Sequence, residues 1–140
     1  MIIDAIKNGI VIDHIAAGKA MELYQILGLG NLDCSVAILK NVVSAKLGRK
    51  DIIKIDRNLD LDWDIIGYVD PNITVNIIKD GERVEKRQLK LPETITNVIH
   101  CKNPRCITSV KQVDQVFTLC DRDAHRYRCI YCEQEYRSDT

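Results

Sequence analysis

The spacing of cysteines near the C-terminus constrains the fold of this chain more than any other feature. Five of its six cysteines lie between residues 101 and 132, and four of those form two close pairs separated by 22 residues. The pairs are Cys101 and Cys106, in "CKNPRC", and Cys129 and Cys132, in "CIYC". Each pair can place two thiolates on one side of a tight turn, and two such turns complete the tetrahedral four-sulfur shell that zinc prefers. The spacing therefore predicts a closed, structural zinc site without an open position for a substrate.

Other interpretations of the same thiols fit less well. A thioredoxin-like redox pair would stand alone at the start of a helix, and rubredoxin-like iron would favour two C-x2-C turns. His100 and His125 lie near the cysteines, but four well-spaced sulfurs leave them unnecessary as ligands. Cys120 has no paired cysteine beside it and is predicted to be a small, half-buried residue. Cys34 is predicted to be a small core residue.

The cysteine-rich segment is too small to build a sufficient core unaided. Zinc binding would supply its folding free energy, on the order of 10 kcal/mol in small zinc modules. Val113, Val116 and Thr118 favour strand, which predicts short antiparallel strands pinned by the metal. Residues 101–140 contain seven Lys and Arg against six Asp and Glu. Because a nucleic-acid-binding zinc ribbon is usually more basic, this segment suits a protein partner better.

The composition of the whole chain narrows the function classes further. Twenty Lys and Arg offset twenty Asp and Glu, which argues against a general nucleic-acid binder. No apolar run reaches the roughly 18 residues that a membrane span needs. The N-terminus has an early Asp4 and no basic leader, so it does not predict a signal peptide. We therefore expect a cytoplasmic protein, where thiols stay reduced.

The first ninety residues follow a different pattern, in which strands and helices alternate. The predicted order is strand, helix, strand, strand, helix, strand, strand. The segments that carry it are "GIVIDHI", "AAGKAMELYQILGL", "CSVAILKNVV", "GRKDIIKID", "DLDWDIIGYV", "NITVNIIKD" and "RVEKRQLKL". Asp residues can cap the second helix, and Asp80-Gly81 is a hairpin turn signal. This order predicts an α+β fold: a ferredoxin-like sandwich with an added strand over residues 1–92, then a small antiparallel β zinc domain over 93–140, with Pro92 in the linker.

Several polar residues interrupt the apolar strands of the first domain. Lys50 and Lys54 are four residues apart on one strand, so the alternation of side chains aims both at one face. Asp13, His14 and Asn76 break other apolar runs. The alternative interpretation is an ordinary hydrated sheet face with edge lysines that discourage aggregation. The sequence has no Walker loop, no G-x-G-x-x-G and no recognisable catalytic motif.

A family resemblance gives these features a common explanation. "VIDHI", "GRKDIIKI", "TVNII", "LPETITNVIHC" and "CIYCE", in this order, closely resemble the regulatory chain of aspartate carbamoyltransferase. The similarity extends over nearly the whole chain. It implies a non-catalytic subunit with an N-terminal allosteric domain that binds nucleoside triphosphates. It also implies a C-terminal zinc domain that holds the catalytic chain, in a holoenzyme where dimers of regulatory chains join catalytic trimers.

The resemblance also assigns roles to individual residues. It implies that Lys50, Lys54, Lys86 and His14 hold the triphosphate and ribose, that Asp13 accepts from a sugar hydroxyl or orients a lysine, and that Asn76 lies near the phosphates. Backbone groups of Ile6 and Ile78 would contact the base edge, with Val11 packed beside it. The four cysteines match the zinc ligands of the family, and Asn103 and Glu133 match polar positions that face the catalytic chain.

The implied mechanism is allosteric control of pyrimidine biosynthesis. CTP would inhibit, ATP would compete as an activator, and UTP is a further expected effector. Two other classes stay open at this point: a zinc-ribbon nucleic-acid binder, and a zinc-dependent deaminase or hydrolase. The second would need an open metal position and a general acid, for which Glu133 is the candidate.

Overall fold

The chain divides into two compact units between Lys90 and Leu91. The computed structural model describes residues 6–136. Residues 1–5 of the predicted first domain and residues 137–140 of the predicted second domain therefore lie outside it. The division falls two residues before the predicted boundary at Pro92. Leu91 and Pro92 belong to the second unit because their carbonyls accept hydrogen bonds there, from Arg122 and from the Tyr127 hydroxyl.

The first unit is an α+β fold built on a five-stranded antiparallel sheet. Its elements are β1 (Gly9–Ala16), α1 (Ala20–Ile26), a 3-10 turn (Leu29–Asn31), β2 (Val36–Ser44), β3 (Gly48–Ile55), α2 (Trp63–Val69), β4 (Thr74–Lys79) and β5 (Glu82–Gln88). The strands lie in the order β2-β3-β1-β4-β5, and every neighbouring pair is antiparallel. This is the ferredoxin-like order with β5 added at one edge, so the predicted fold class is confirmed.

Both helices pack on one face of this sheet. The core joins side chains of α1 and α2, such as Leu23 and Ile66, to alternate residues of the strands, such as Ile10, Ile53 and Val75, all of which are buried. The intervening residues of the same strands therefore point to the opposite face, which we call the open face. No helix within residues 6–136 is long and apolar enough to cross a membrane.

Two local sequence signals act as predicted in this unit. The Asp62 carboxylate caps α2 by accepting from the backbone N–H groups of Asp64 and Ile65. Asp80 and Gly81 form the β4–β5 turn, and both have positive φ, at 53° and 78°. Such a pair of left-handed residues matches the twist of a hairpin and explains the Asp-Gly sequence.

The second unit is a small antiparallel sheet above a pair of cysteine turns. Its elements are β6 (Thr94–Thr96), a 3-10 turn (Ile107–Ser109), β7 (Val116–Asp121) and β8 (Arg126–Cys129), with the strands in the order β6-β7-β8. Phe117 and Tyr127 are its large buried side chains, and the ring of Tyr136 meets Phe117 edge to face at 5.9 Å.

One sequence expectation for the strands of this unit is wrong. Val113 lies outside β7, because the segment before Val116 runs as a loop that Asn97 ties down through Asp114 and Gln115. The first strand of the unit, β6, begins two residues after Pro92 and forms because Thr94 to Thr96 pair with Val116 to Thr118. The predicted short antiparallel strands are otherwise present.

Candidate functional site

A row of polar side chains crosses the open face of the first unit. Val11 on β1 lies directly opposite Lys54 on β3 and Asn76 on β4, and Asn76 in turn lies opposite Lys86 on β5. Residues that face each other across antiparallel strands project to the same side of the sheet. Four of the predicted nucleotide-binding residues are thus brought into one line across four strands.

A bulge in β1 adds two more predicted residues to this face. Ile12 pairs with Ile53 and Ile15 with Asp51, so Asp13 and His14 together oppose the single residue Ile52. His14 adopts a left-handed conformation, with φ 58°. The bulge lets Asp13 and His14 share the open face, while Ile12 and Ile15, three residues apart, are both buried in the core.

Asp13 and Lys50 form an ion pair beside this row, with 2.9 Å between Oδ1 and Nζ. Their side chains are 21% and 16% exposed, so water screens the pair only in part. Burial raises the pKa of Asp13, but hydrogen bonds from Lys50 and from the His14 backbone N–H, together with nearby positive charge, outweigh burial and lower the pKa below its ordinary value. Asp13 therefore stays ionised and holds the Lys50 ammonium group in position.

Two polar atoms on this face are buried without a hydrogen-bond partner among the described residues. They are Nδ1 of His14 and Oδ1 of Asn76. A buried polar atom left unpaired costs about 1–3 kcal/mol, so such atoms are rare unless water or a ligand meets them. Their presence beside Lys50, Lys54 and Lys86 makes the open face a candidate site for a polar, anionic ligand.

The N-terminal segment lies at one end of the sheet, beside the β4–β5 turn. Gly81 donates its backbone N–H to the Lys7 carbonyl at 2.9 Å, and Asp80 donates to the Asn8 side chain at 3.1 Å. Gly9 then pairs with Ile78. An added Cβ at Gly9 would collide with the Ile55 carbonyl and crowd the Ile6 side chain, so glycine permits this close packing. Ile6 and Ile78 thus lie at the same end of the sheet.

The four paired cysteines of the second unit converge on one point. The Sγ atoms of Cys101, Cys106, Cys129 and Cys132 all lie within 4.8 Å of one another. The Cys101–Cys132 and Cys106–Cys129 separations are 3.6 and 3.7 Å. A tetrahedral shell with metal–sulfur bonds of about 2.3 Å has sulfur–sulfur edges of about 3.8 Å. Both the donor set and the spacing therefore fit a zinc ion bound by four sulfurs.

Hydrogen bonds to the backbone shape the two cysteine turns. In the first, the Asn103 carbonyl accepts from the Cys106 N–H and from the Ser109 hydroxyl, and the Asn103 side chain accepts from the Arg105 N–H. In the second, Glu133 donates its N–H to the Cys129 carbonyl and has φ 63°. Asn103 and Glu133 therefore lie within the turns that carry the sulfurs, with Glu133 exposed.

The ionisation of these thiols indicates why a cation suits the cluster. Burial raises the pKa of Cys101 to about 12, and burial also raises the pKa of Cys129. Hydrogen bonding from the side chain and backbone of Thr108 lowers the pKa of Cys106 to about 6. Four adjacent thiolates repel one another, so the fully ionised set requires a bound divalent ion.

The remaining cysteines and histidines lie outside this cluster. Cys34 packs against the core of the first unit, as predicted. Cys120 is exposed, so the expectation of a half-buried residue is wrong; its thiol points outward from β7 and donates to the Arg126 carbonyl at 3.4 Å. Within the described residues the metal-ligand group contains neither His100 nor His125. A closed sulfur shell of this kind leaves no coordination position for a hydrolase or deaminase reaction.

Arg83 lies on the open face but is not among the predicted residues. It pairs with Ile78 next to a register shift between β4 and β5. The sequence of a single strand does not indicate such a shift, because the shift depends on the pairing with the neighbouring strand. A regular strand would place Arg83 and Lys86, three positions apart, on opposite faces.

Comparison with known protein families matches each of the two units to a domain. Residues 1–90 match the family model described as "Aspartate carbamoyltransferase regulatory chain, allosteric domain", and residues 93–140 match the corresponding "metal binding domain". A regulatory chain from Clostridium botulinum (strain Hall) is 48% identical over 135 residues, which cover 96% of this chain and 92% of the relative.

Two further relatives carry the same description. A regulatory chain from Clostridium tetani is 48% identical, with 96% of this chain and 95% of the relative covered. One from Bifidobacterium longum is 40% identical, with 96% and 98% covered. The matched domains are allosteric and metal-binding rather than catalytic. With its open sheet face, its four-cysteine cluster and these matches along its whole length, this chain belongs to the family of aspartate carbamoyltransferase regulatory chains.

Proposed function

We propose that the first unit binds nucleoside triphosphates on its open face and that this binding controls a separate catalytic chain. The observation that carries the proposal is that three lysines lie on one face with two buried polar atoms, His14 Nδ1 and Asn76 Oδ1, that have no hydrogen-bond partner within residues 6–136. Several cations neutralise a triphosphate, while the neutral polar atoms position it. The chemistry of the face and the family of the chain support the same ligand class.

The phosphates and ribose would occupy the cationic part of the face. Lys54 and Lys86 stand at two ends of the cross-strand row, with Asn76 between them. Lys50 would contact the ligand from the position in which its ion pair with Asp13 holds it. His14 would donate or accept at its free ring nitrogen, and Asp13 has a remaining carboxylate lone pair for a sugar hydroxyl.

The base would lie at the other end, against the N-terminal segment. Backbone groups of Ile6 and Ile78 would contact its edge, and the Val11 side chain would pack beside the ring. Main-chain donors and acceptors at fixed positions suit this role because they discriminate between ring edges without rearrangement. Val11 also borders Lys54 and Asn76, so the base and phosphate ends are continuous.

CTP is proposed as the inhibitor and ATP as a competing activator, with UTP as a further effector. For one pocket to give opposite signs, each ligand must favour a different quaternary state. The expected coupling is about 1–3 kcal/mol for each effector, as in most allosteric pairs. The pathway controlled in this way would be pyrimidine biosynthesis.

The zinc unit is proposed as the docking element for the catalytic chain. Asn103 and Glu133 would contact the partner, because both lie in the turns that the zinc ion holds together. Dimers of this chain would join catalytic trimers, and neither nucleic acid nor a membrane is a proposed partner. A cytoplasmic location is proposed because none of the six cysteines, all of which lie within the described residues, forms a disulfide, and the cytosol keeps cysteines reduced.

The nucleotide site is tested by removing one cation from the open face. Lys54→Ala in the full chain should weaken CTP binding about tenfold in a calorimetric titration, since a charge-assisted hydrogen bond contributes about 1.5 kcal/mol or more. Lys79→Ala is the matched control: it removes the same charge from the same sheet, but Lys79 alternates with Asn76 and Ile78 onto the helix face. Equal CTP affinity in Lys54→Ala and wild type would refute the site.

Partner binding is tested separately, with a pull-down on purified aspartate carbamoyltransferase catalytic trimer. The chain should be retained by the trimer, and prior treatment with a zinc chelator should abolish retention. Retention that survives complete zinc removal would contradict the docking role of the zinc unit.

A further inference from the structure

A bulge in β5 brings an additional cation onto the open face. Ile77 pairs with Glu85 but the next residue, Ile78, pairs with Arg83, so Val84 is extra in the ladder. The bulge changes the alternation of side chains along β5. As a result Arg83 faces the same side as Ile78, and Lys86 faces the same side as Asn76, although Arg83 and Lys86 are three residues apart.

The other residues of β5 agree with this assignment. The Arg87 guanidinium lies 4.4 Å from the centre of the Trp63 ring on α2, which places Arg87 on the helix face. Glu85 pairs with Arg87 at 3.4 Å and therefore lies on that face too. Arg83 and Lys86 are consequently the two basic residues of β5 that lie on the open face.

Arg83 lies at the base end of the proposed site. Its neighbour across the ladder is Ile78, whose other neighbour is Gly9. The adjacent turn is tied to Lys7 and Asn8. Two residues along β1 and along β4, a distance of about 7 Å, separate this row from that of Lys54 and Lys86. The Lys50–Asp13 pair is further still, so the phosphate-binding cations and Arg83 occupy different ends of the face.

A guanidinium group at a base edge is selective because it can only donate. It carries five N–H donors in a planar fork and no acceptor. Cytosine, uracil and guanine each present carbonyl oxygens that can accept from this fork. Adenine has no carbonyl: beside its exocyclic amino donor, its acceptors are single ring nitrogens, so it cannot offer the fork a carbonyl oxygen.

We infer that Arg83 is a specificity-determining residue that favours nucleotides with a carbonyl-bearing base over adenine nucleotides at this site. The inference rests on the proposed nucleotide-binding function and adds a base preference to it. Because Arg83 is exposed, its contribution is smaller than that of a buried charge.

The test measures CTP and ATP affinities of the full chain by calorimetry, in wild type, Arg83→Gln and Arg87→Gln. Arg83→Gln should weaken CTP binding about fivefold while changing ATP binding less than twofold, in keeping with one lost charge-assisted hydrogen bond at an exposed position. Arg87→Gln removes the same charge from the same strand on the opposite face and should leave the ratio of CTP to ATP affinity unchanged.

The possible results separate the two proposals. Wild type that binds both nucleotides, combined with an unchanged affinity ratio in Arg83→Gln, would overturn the role of Arg83 alone. The same holds if Arg87→Gln changes the ratio as much as Arg83→Gln does. Wild type that binds neither nucleotide would overturn the nucleotide site and the role of Arg83 together.

Discussion

Asp51 offers the sharpest test of how the first unit holds its shape. This carboxylate is fully buried, on the core side of β3. Its Oδ2 atom accepts from the backbone N–H groups of Gly18 and Ala20, at 3.0 and 3.2 Å, and its Oδ1 accepts from Asn41 at 2.8 Å. Asp51 thus caps the start of α1, where Lys19 provides no side-chain cap, and secures a bulge in β2.

Asp51→Asn should destabilise the first unit by about 3–5 kcal/mol. Asparagine keeps only one acceptor oxygen, so at least one of the three hydrogen bonds is lost, at about 1.5–3 kcal/mol for a bond to a charged group. The new amino group would then face a backbone N–H, and a buried donor without a partner costs a further 1–3 kcal/mol or so. The loss is large beside the roughly 5–15 kcal/mol that stabilises a typical domain.

Urea unfolding followed by tryptophan fluorescence measures this change directly. Trp63 is the only tryptophan of the chain and lies at the start of α2, so its signal reports on the first unit. With a slope of about 2 kcal/mol per molar urea, the midpoint should fall by about 2 M. Asp33→Asn is the control: the Asp33 side chain is 98% exposed, so this variant should unfold at the wild-type urea midpoint. A midpoint for Asp51→Asn within 0.3 M of wild type would refute the reasoning.

Two further predictions follow from the ion pair and the cysteine cluster. Because the pKa of Asp13 is lowered in the folded state, its pairing with Lys50 stabilises the fold above the unfolded pKa near 4, and this stabilisation is lost as pH falls through the folded value. Asp13→Asn should therefore lower the urea midpoint at pH 6 and have a smaller effect at pH 3; an equal effect at both would contradict the assignment. Cys129→Ser should abolish zinc binding, measured as metal per chain, and prevent co-elution with catalytic trimers on gel filtration, whereas Cys120→Ser should do neither. A Cys129→Ser variant that retains one zinc and co-elutes would eliminate the four-sulfur site.

Much of the fold could be predicted because its signals are local. β-Branched residues next to glycine in "GIVIDHI" and "GRKDIIKID" indicate strands, Asp62 caps a helix, and Asp80-Gly81 forms a hairpin turn. Each depends on the conformational preferences of a few adjacent residues. The convergence of four cysteines could be predicted as well, since metal-ligand spacing is a local property of two turns.

The remaining features depend on partners distant in sequence. The three-residue strand β6 is too short to stand out, and it forms because Thr94 to Thr96 pair with β7. The bulges in β1, β2 and β5 likewise depend on the strand opposite. Asn41 takes up its left-handed conformation where Asp51, ten residues later, accepts its N–H. Arg83 could not be predicted as a site residue for the same reason: the side of the sheet on which it lies depends on the register shift beside Ile78 and not on the residues next to it in the sequence.

The β1 bulge gives the proposed ligand-binding surface one polar side chain more than plain alternation would allow. Loss of a single residue between Ile12 and Ile15 would restore plain alternation and leave the two isoleucines two positions apart, both on the core side, while one of the two polar side chains would disappear from the opposite side. Such a deletion would therefore remove part of the proposed ligand contacts and keep both isoleucines in the core. The number of residues in this strand should follow the demands of ligand recognition rather than those of stability.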